Sequence, residues 1–354
     1  MRLTSIAAGI LTLAFAGFPA VSTIVTRAAS PRESQQGTTR GPIASPSPAT
    51  PGDAPQTTQQ EPPSSQQTLQ AQTTVVNVFT TVRDHHNGIV TDLTKSDFKI
   101  YEDGVEQKVA YFSKEVDMPI SLGILIDTSG SMSHILRAEQ DAASRFVEQV
   151  MRKKDEAMVM SFDLDVNLLA DFTEDPRELD RGIRRATINA AGPMVTPGTV
   201  PQNTPMGTNL YDAIYLACHD ELGPEAGRKA IVLLTDAEDN GSKMTERDAI
   251  EAAQRADAVV HFILITDPEL SEGYGPGVAA RIAQQTGGRV INVRNEKSLE
   301  KAFDQISEEL RSQYVLGYYP SNLARDGTFR KIKVEVTRPD LKILARKGYY
   351  APSR

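Results

Sequence analysis

The sequence predicts an α/β protein: a doubly wound, mostly parallel sheet with one antiparallel edge strand, inserted into a small discontinuous antiparallel β module. Three observations point there. Continuous apolar runs at 120–126, 157–162, 230–234 and 258–265 read as strands covered on both faces. Helical stripes lie between them, so strand and helix alternate. The segments on either side alternate apolar and polar residues instead, as half-buried strands do.

Arg2 precedes a charge-free apolar run, 3–25, with Ala14 and Ala16 placed as a cleavage signal. Residues 1–29 therefore read as a signal peptide or, since about 20 apolar residues just span a bilayer, an uncleaved N-terminal anchor. Either reading exports the remainder. Residues 30–72 shift to Pro, Gln, Ser and Thr with no aromatic residue, a composition that buries too little apolar area to offset chain entropy. This segment is expected to be a disordered linker.

From 73 the alternation sets Val76, Val78 and Val82 on one side and Asn77, Thr81 and Arg83 on the other. Strands are expected at 98–102 and 105–112, with Asp103 and Gly104 as the turn. The same style returns at 313–319, 331–336 and 341–350, with turns at Asp326/Gly327 and Pro339/Asp340. Isolated hairpins are marginal, so the two flanks, 73–117 and 312–351, are predicted to pair into one β module around a middle domain at 118–311.

Within the middle domain, Ile135, Ala138, Ala142, Phe146 and Val150 form one helical stripe and Leu210, Ile214, Cys218 and Leu222 another. The segment 166–172 follows its predecessor so closely that only a hairpin connects them, which makes it the antiparallel edge. A further helix is expected at 298–310.

Composition narrows the function. The 354 residues are 40% hydrophobic and carry a formal net charge of −8, which argues against nucleic acid as a partner. A single cysteine excludes an intramolecular disulfide framework and a thiolate zinc site. Cys218 lies on an apolar stripe and reads as core, and none of the five histidines shows metal-ligand spacing.

Open α/β sheets bind ligands at the carboxyl ends of their strands. There the chain places Asp127, Ser129 and Ser131 after the first run, Asp236 after the run 230–234, and Thr208 where a helix begins. The donors are all oxygen, two charged and three neutral, which suits a hard cation such as Mg²⁺, with Mn²⁺ or Ca²⁺ as alternatives. Such a cation is left open to an outside carboxylate. Glu238 and Asp239 read as an acidic solvated loop or an accessory cation site, and the long segment 192–207 as a surface loop or part of a partner surface.

The segments DTSGS, GTNLYDAI and LLTDAED, in this order, resemble the von Willebrand factor type A (VWA) family, over roughly 119–311. More loosely, the flanks, including QYVLGYYP at 313–320, resemble secreted bacterial VWA-related proteins. The resemblance implies a Rossmann-like fold and a metal-ion-dependent adhesion site (MIDAS). It maps the DxSxS pattern onto Asp127, Ser129 and Ser131, the threonine onto Thr208 and the distal aspartate onto Asp236. One position departs: many relatives carry glycine after the distal aspartate, and here Ala237 stands there.

The expected function is that of an exported, non-enzymatic adhesion-type protein binding a partner's Asp or Glu through the cation, with membrane contact only through an uncleaved anchor and oligomeric state left open. The competing reading is an envelope scaffold with a structural metal. Metal-dependent hydrolysis stands behind both, because no GxSxG elbow surrounds Ser129.

Overall fold

The computed structural model describes residues 75–114, 118–188, 207–265 and 275–353; the apolar run expected to be a signal or anchor, the expected linker and most of the 192–207 segment lie outside them. The first flank forms β1 (Val76–Arg83), β2 (Phe98–Glu102), β3 (Val105–Gln107) and β4 (Val109–Ser113). The single strand expected at 105–112 is two, because the chain changes sheets at Lys108: β3 pairs with β2 and β4 with a distant strand. Gln107 anchors the corner, its Nε2 donating to Ser321 Oγ at 2.9 Å and its Oε1 accepting from Ser321 N–H at 3.0 Å.

The middle domain runs β5 (Ile120–Asp127), α1 (Leu136–Val150), β6 (Glu156–Phe162), β7 (Val166–Thr173), α2 (Pro176–Arg185), α3 (Leu210–Leu216), β8 (Arg228–Thr235), α4 (Glu246–Ala256), β9 (Ala258–Ile265), α5 (Gly275–Thr286), β10 (Val290–Val293) and α6 (Glu296–Arg311). Its sheet has the order β10-β9-β8-β5-β6-β7. All its pairings are parallel except that of the edge strand β7 with β6. One face is covered by α1, α2 and α6 around Phe146, Ile183 and Phe303. The other is covered by α3, the π-helical turn Ala217–Leu222 that extends it, α4 and α5, around Leu210, Cys218 and Ile282. Local signals agree with this packing: Thr245 and Asp248 form a capping box before α4, and Asp175 caps α2 just ahead of Pro176.

The second flank supplies β11 (Tyr314–Tyr318), β12 (Phe329–Val336), β13 (Lys342–Ala345) and β14 (Gly348–Tyr350). Two four-stranded sheets result, ordered β13-β1-β11-β4 and β14-β12-β2-β3, and each combines strands from both flanks. Their inner residues, Val78, Ile100, Leu316 and Ile332 among them, share one core. The expected strand at 341–350 divides as 105–112 does. Gly348 packs so tightly that a Cβ there would lie 2.2 Å from the Phe329 ring, and Lys347 N–H donates to Gln285 O of α5 at 3.0 Å, so the chain leaves one sheet before joining the other.

The outer face of β1 is half-covered at Asn77 and Phe79 and fully buried at Thr81 and Arg83, where a half-buried strand would be open to solvent. Arg83 there donates to Glu309 of α6 at 2.8 Å, and both side chains are almost fully covered. Arg228 of β8 donates to Gln313 Oε1 at 2.6 Å, and Arg346 Nη2 donates to Asn77 O at 2.6 Å while pairing with Asp257. Among the described residues, no helix is long and apolar enough to cross a membrane.

Candidate metal centre

The central strand β5 has β6 on one side and β8 on the other. The chain passes from β5 to β6 in one direction and reaches β8 in the other, so strand order reverses there and opens a crevice at the carboxyl ends. Asp127 is the last residue of β5, and Asp236 follows the last residue of β8.

Asp127 is 0% exposed. Its Oδ1 accepts from Ser129 N–H at 2.9 Å and its Oδ2 from Thr235 Oγ1 at 2.6 Å. Burial pushes its carboxyl up to about 7, hydrogen bonds from Ser129 and Thr235 oppose this, and the Asp236 charge adds to the rise. Beyond Asp127 the chain makes a 3-10 turn, Gly130–His134, that leads into α1. Ser129 is 9% exposed and Ser131 is exposed, with their hydroxyl oxygens 3.0 Å apart. The turn thus runs from a buried carboxylate out to an accessible hydroxyl.

Asp236 is half-buried and its Oδ1 accepts from Glu238 N–H at 3.1 Å. The residue after it, Ala237, has φ 60°, the left-handed conformation that glycine adopts without cost. Thr235 braces this turn, since its hydroxyl accepts from Ala237 N–H at 2.9 Å while donating to Asp127. A Cβ at Gly275, where α5 begins, would lie 2.2 Å from Asp236 O, so the helix start presses directly on the turn.

Thr208 is 5% exposed and is held through its backbone: its N–H donates to Asn240 Oδ1 at 2.8 Å and its carbonyl accepts from Asn240 N–H at 3.2 Å. The next residue, Asn209, donates its N–H to Asp163 O at 2.8 Å, and Asp163 Oδ2 accepts from Thr128 Oγ1 at 2.8 Å. Asp163 therefore ties the Thr208 loop to the turn after β5. Asp127, Ser129 and Ser131 form one contiguous group, Asp236 acts on Asp127 electrostatically, and Thr208 is fixed to the adjoining loops.

Asp239 accepts from Tyr211 N–H at 3.2 Å and from Ser242 Oγ at 2.6 Å, which makes it a loop brace. His134 is exposed, its Nδ1 3.0 Å from Ser131 O. Cys218 is fully buried, and burial pushes its thiol up to about 12.

Sequence reasoning passed over three groups. Thr235 and Asp163 both stand at strand exits, the same signal that picked out Asp127 and Asp236. Glu139 is 0% exposed on α1, and neither of its carboxylate oxygens has a hydrogen-bond partner. Burial and the negative charges of Asp127 and Asp236 drive its carboxyl well above the usual range. Its signal was a charged residue on the buried stripe, four after Ile135 and three before Ala142.

No curated protein matches the chain. Among solved structures, the conserved hypothetical protein BatB from Bacteroides thetaiotaomicron is 21% identical over 54% of this chain and 98% of its own, with a TM-score of 0.41. The vWF domain of the type V pili tip protein Mfa5 from Porphyromonas gingivalis is 15% identical over 56% of this chain and 96% of its own, with a TM-score of 0.41. Proximal thread matrix protein 1 from the mussel byssus, solved with a zinc-occupied MIDAS motif, is 16% identical over 56% of this chain, which spans 49% of that protein, with a TM-score of 0.43. The family model for the von Willebrand factor type A domain matches residues 122–238, from within β5 to two residues past Asp236. Residues 122–238 thus match the von Willebrand factor type A domain model, and the candidate site lies at the crevice of the sheet that this stretch helps to form.

Proposed function

We propose that this chain is an exported, non-enzymatic interaction protein that binds an acidic group of a protein partner through a divalent cation. The cation would be held by Asp127, Ser129, Ser131, Thr208 and Asp236, with Mg²⁺ as the first choice and Mn²⁺ or Ca²⁺ as alternatives. The carrying observation is the fully buried Asp127 carboxylate at the end of β5, with Asp236 leaving the neighbouring strand β8 at the same crevice; burial and the Asp236 charge push the Asp127 carboxyl up. The buried Asp127 is repelled by the neighbouring Asp236 charge, and a divalent cation removes that repulsion. The donor chemistry fits a hard cation: every group is an oxygen, two of them carboxylates and three hydroxyls. When bound, the cation supplies a Lewis-acidic position that an outside carboxylate completes. The apolar run after Arg2 supports export.

The test is binding of a short Glu-containing peptide to the full chain, in Mg²⁺ and again in EDTA, beside Thr208→Ala. The proposal expects saturable binding in Mg²⁺ that EDTA abolishes and the variant weakens. Binding that persists in EDTA would overturn it, and Mg²⁺ binding with no response to the peptide would favour the scaffold reading.

A further inference from the structure

Glu139 is the buried acid that the proposed site leaves unexplained. It is 0% exposed and both carboxylate oxygens lack a protein partner. Buried carboxylates are ordinarily paired or hydrogen-bonded, because an uncompensated one forfeits its hydration for nothing. The charges that act on this one are Asp127 and Asp236, both negative, so the protein itself offers it no relief. It stands on α1, the helix into which the Asp127–Ser131 turn leads. It is not one of the five oxygen donors proposed to hold the cation.

We infer that Glu139 is an outer carboxylate of the metal centre, acting on the cation through a bound water. It is a positioning residue, and the inference rests on the proposed cation site. Outer partners of this kind orient what touches the metal and add to its retention. Here the added charge has a second consequence. Asp127 and Asp236 alone neutralise a divalent cation, and a third carboxylate gives the loaded site a net negative charge. Glu139 thus holds the cation more tightly while weakening the pull on an incoming carboxylate.

These opposite effects separate it from a merely structural acid. The experiment is calorimetry of Mg²⁺ into the metal-stripped full chain, wild type and Glu139→Gln, followed by a Glu-containing peptide at saturating Mg²⁺. The expected result is a Mg²⁺ affinity lowered about tenfold in the variant, with peptide binding strengthened and the thermal midpoint of the metal-free variant no lower than that of the wild type. Should Glu139→Gln fail to fold, Glu139→Asp keeps the charge on a shorter stem and is expected to lose part of the Mg²⁺ affinity. Unchanged Mg²⁺ affinity, or peptide binding that weakens along with it, overturns the inference and leaves the cation site standing. No Mg²⁺ binding by the wild type removes the cation site itself, and the inference with it.

Discussion

At Asp127 the metal-free protein stores a cost that depends on pH. The carboxyl is raised from an ordinary 3.8 to about 7, so the folded chain holds its proton where the unfolded chain has released it. The stabilisation from that protonated form is complete below about pH 4 and is lost as pH climbs through about 7; Glu139, raised for the same reason, acts in the same direction. Urea denaturation in EDTA should therefore show stability falling between about pH 4 and 7, by up to about 4 kcal/mol for Asp127 alone at about 1.4 kcal/mol per unit. Added Mg²⁺ should abolish most of the decline, and a flat profile in EDTA would contradict the buried-acid account. Two residues after Thr235, Ala237 holds φ 60° against the preference of an L side chain, at a cost of roughly 1 kcal/mol. Ala237→Gly should raise the thermal midpoint by about 2–4 °C, with Mg²⁺ affinity kept or improved. A lowered midpoint would mean that the buried methyl matters more than the backbone.

Between elements, the contact of greatest consequence is Arg83 of β1 with Glu309 of α6, which fastens the two-sheet module to the inserted domain. Arg289 approaches the same carboxylate only to 3.8 Å, and Glu309 Oε1 has no hydrogen-bond partner. Arg83→Met should cost about 3–5 kcal/mol in urea denaturation, because it strands a buried charge, while Arg83→Met combined with Glu309→Leu should recover most of the loss. Equal costs for the single and double variants would show that the residues matter separately and not as a pair. This fastening was hidden in the sequence, because its partners are 226 positions apart and Arg83 sat on the side of the strand that alternation assigned to solvent. The sheet changes at Lys108 and between β13 and β14 were hidden for the same reason. They depend on Gln107 meeting Ser321, and on Gly348 packing under Phe329, neither of which leaves a local pattern. Strand β10, only four residues long and fully buried at just one of them, carried too little apolar signal to stand out.

Over the whole molecule, legibility followed burial on two faces. The continuous apolar runs that became β5, β6, β8 and β9 were readable because a parallel strand under two helix layers has no polar side to interrupt it. The hairpin at Asp103 and Gly104 was readable because both residues take positive φ, 48° and 85°. Asp127, Ser129, Ser131, Thr208 and Asp236 stood out because each lies in a short motif at a strand exit or just ahead of a helix, and the sheet's order brings the exits of β5 and β8 side by side. Glu139 did not, since a lone acid on an apolar stripe acquires meaning only from what packs above it.

The central claim is that this crevice holds a divalent cation through Asp127. Its most direct test is a calorimetric titration of Mg²⁺ into the metal-stripped full chain beside Asp127→Ala. The account predicts saturable one-site binding by the wild type and none by the variant, with the variant still folded because removing the buried acid also removes its cost. Equal Mg²⁺ binding by both, or none by the wild type, would contradict it.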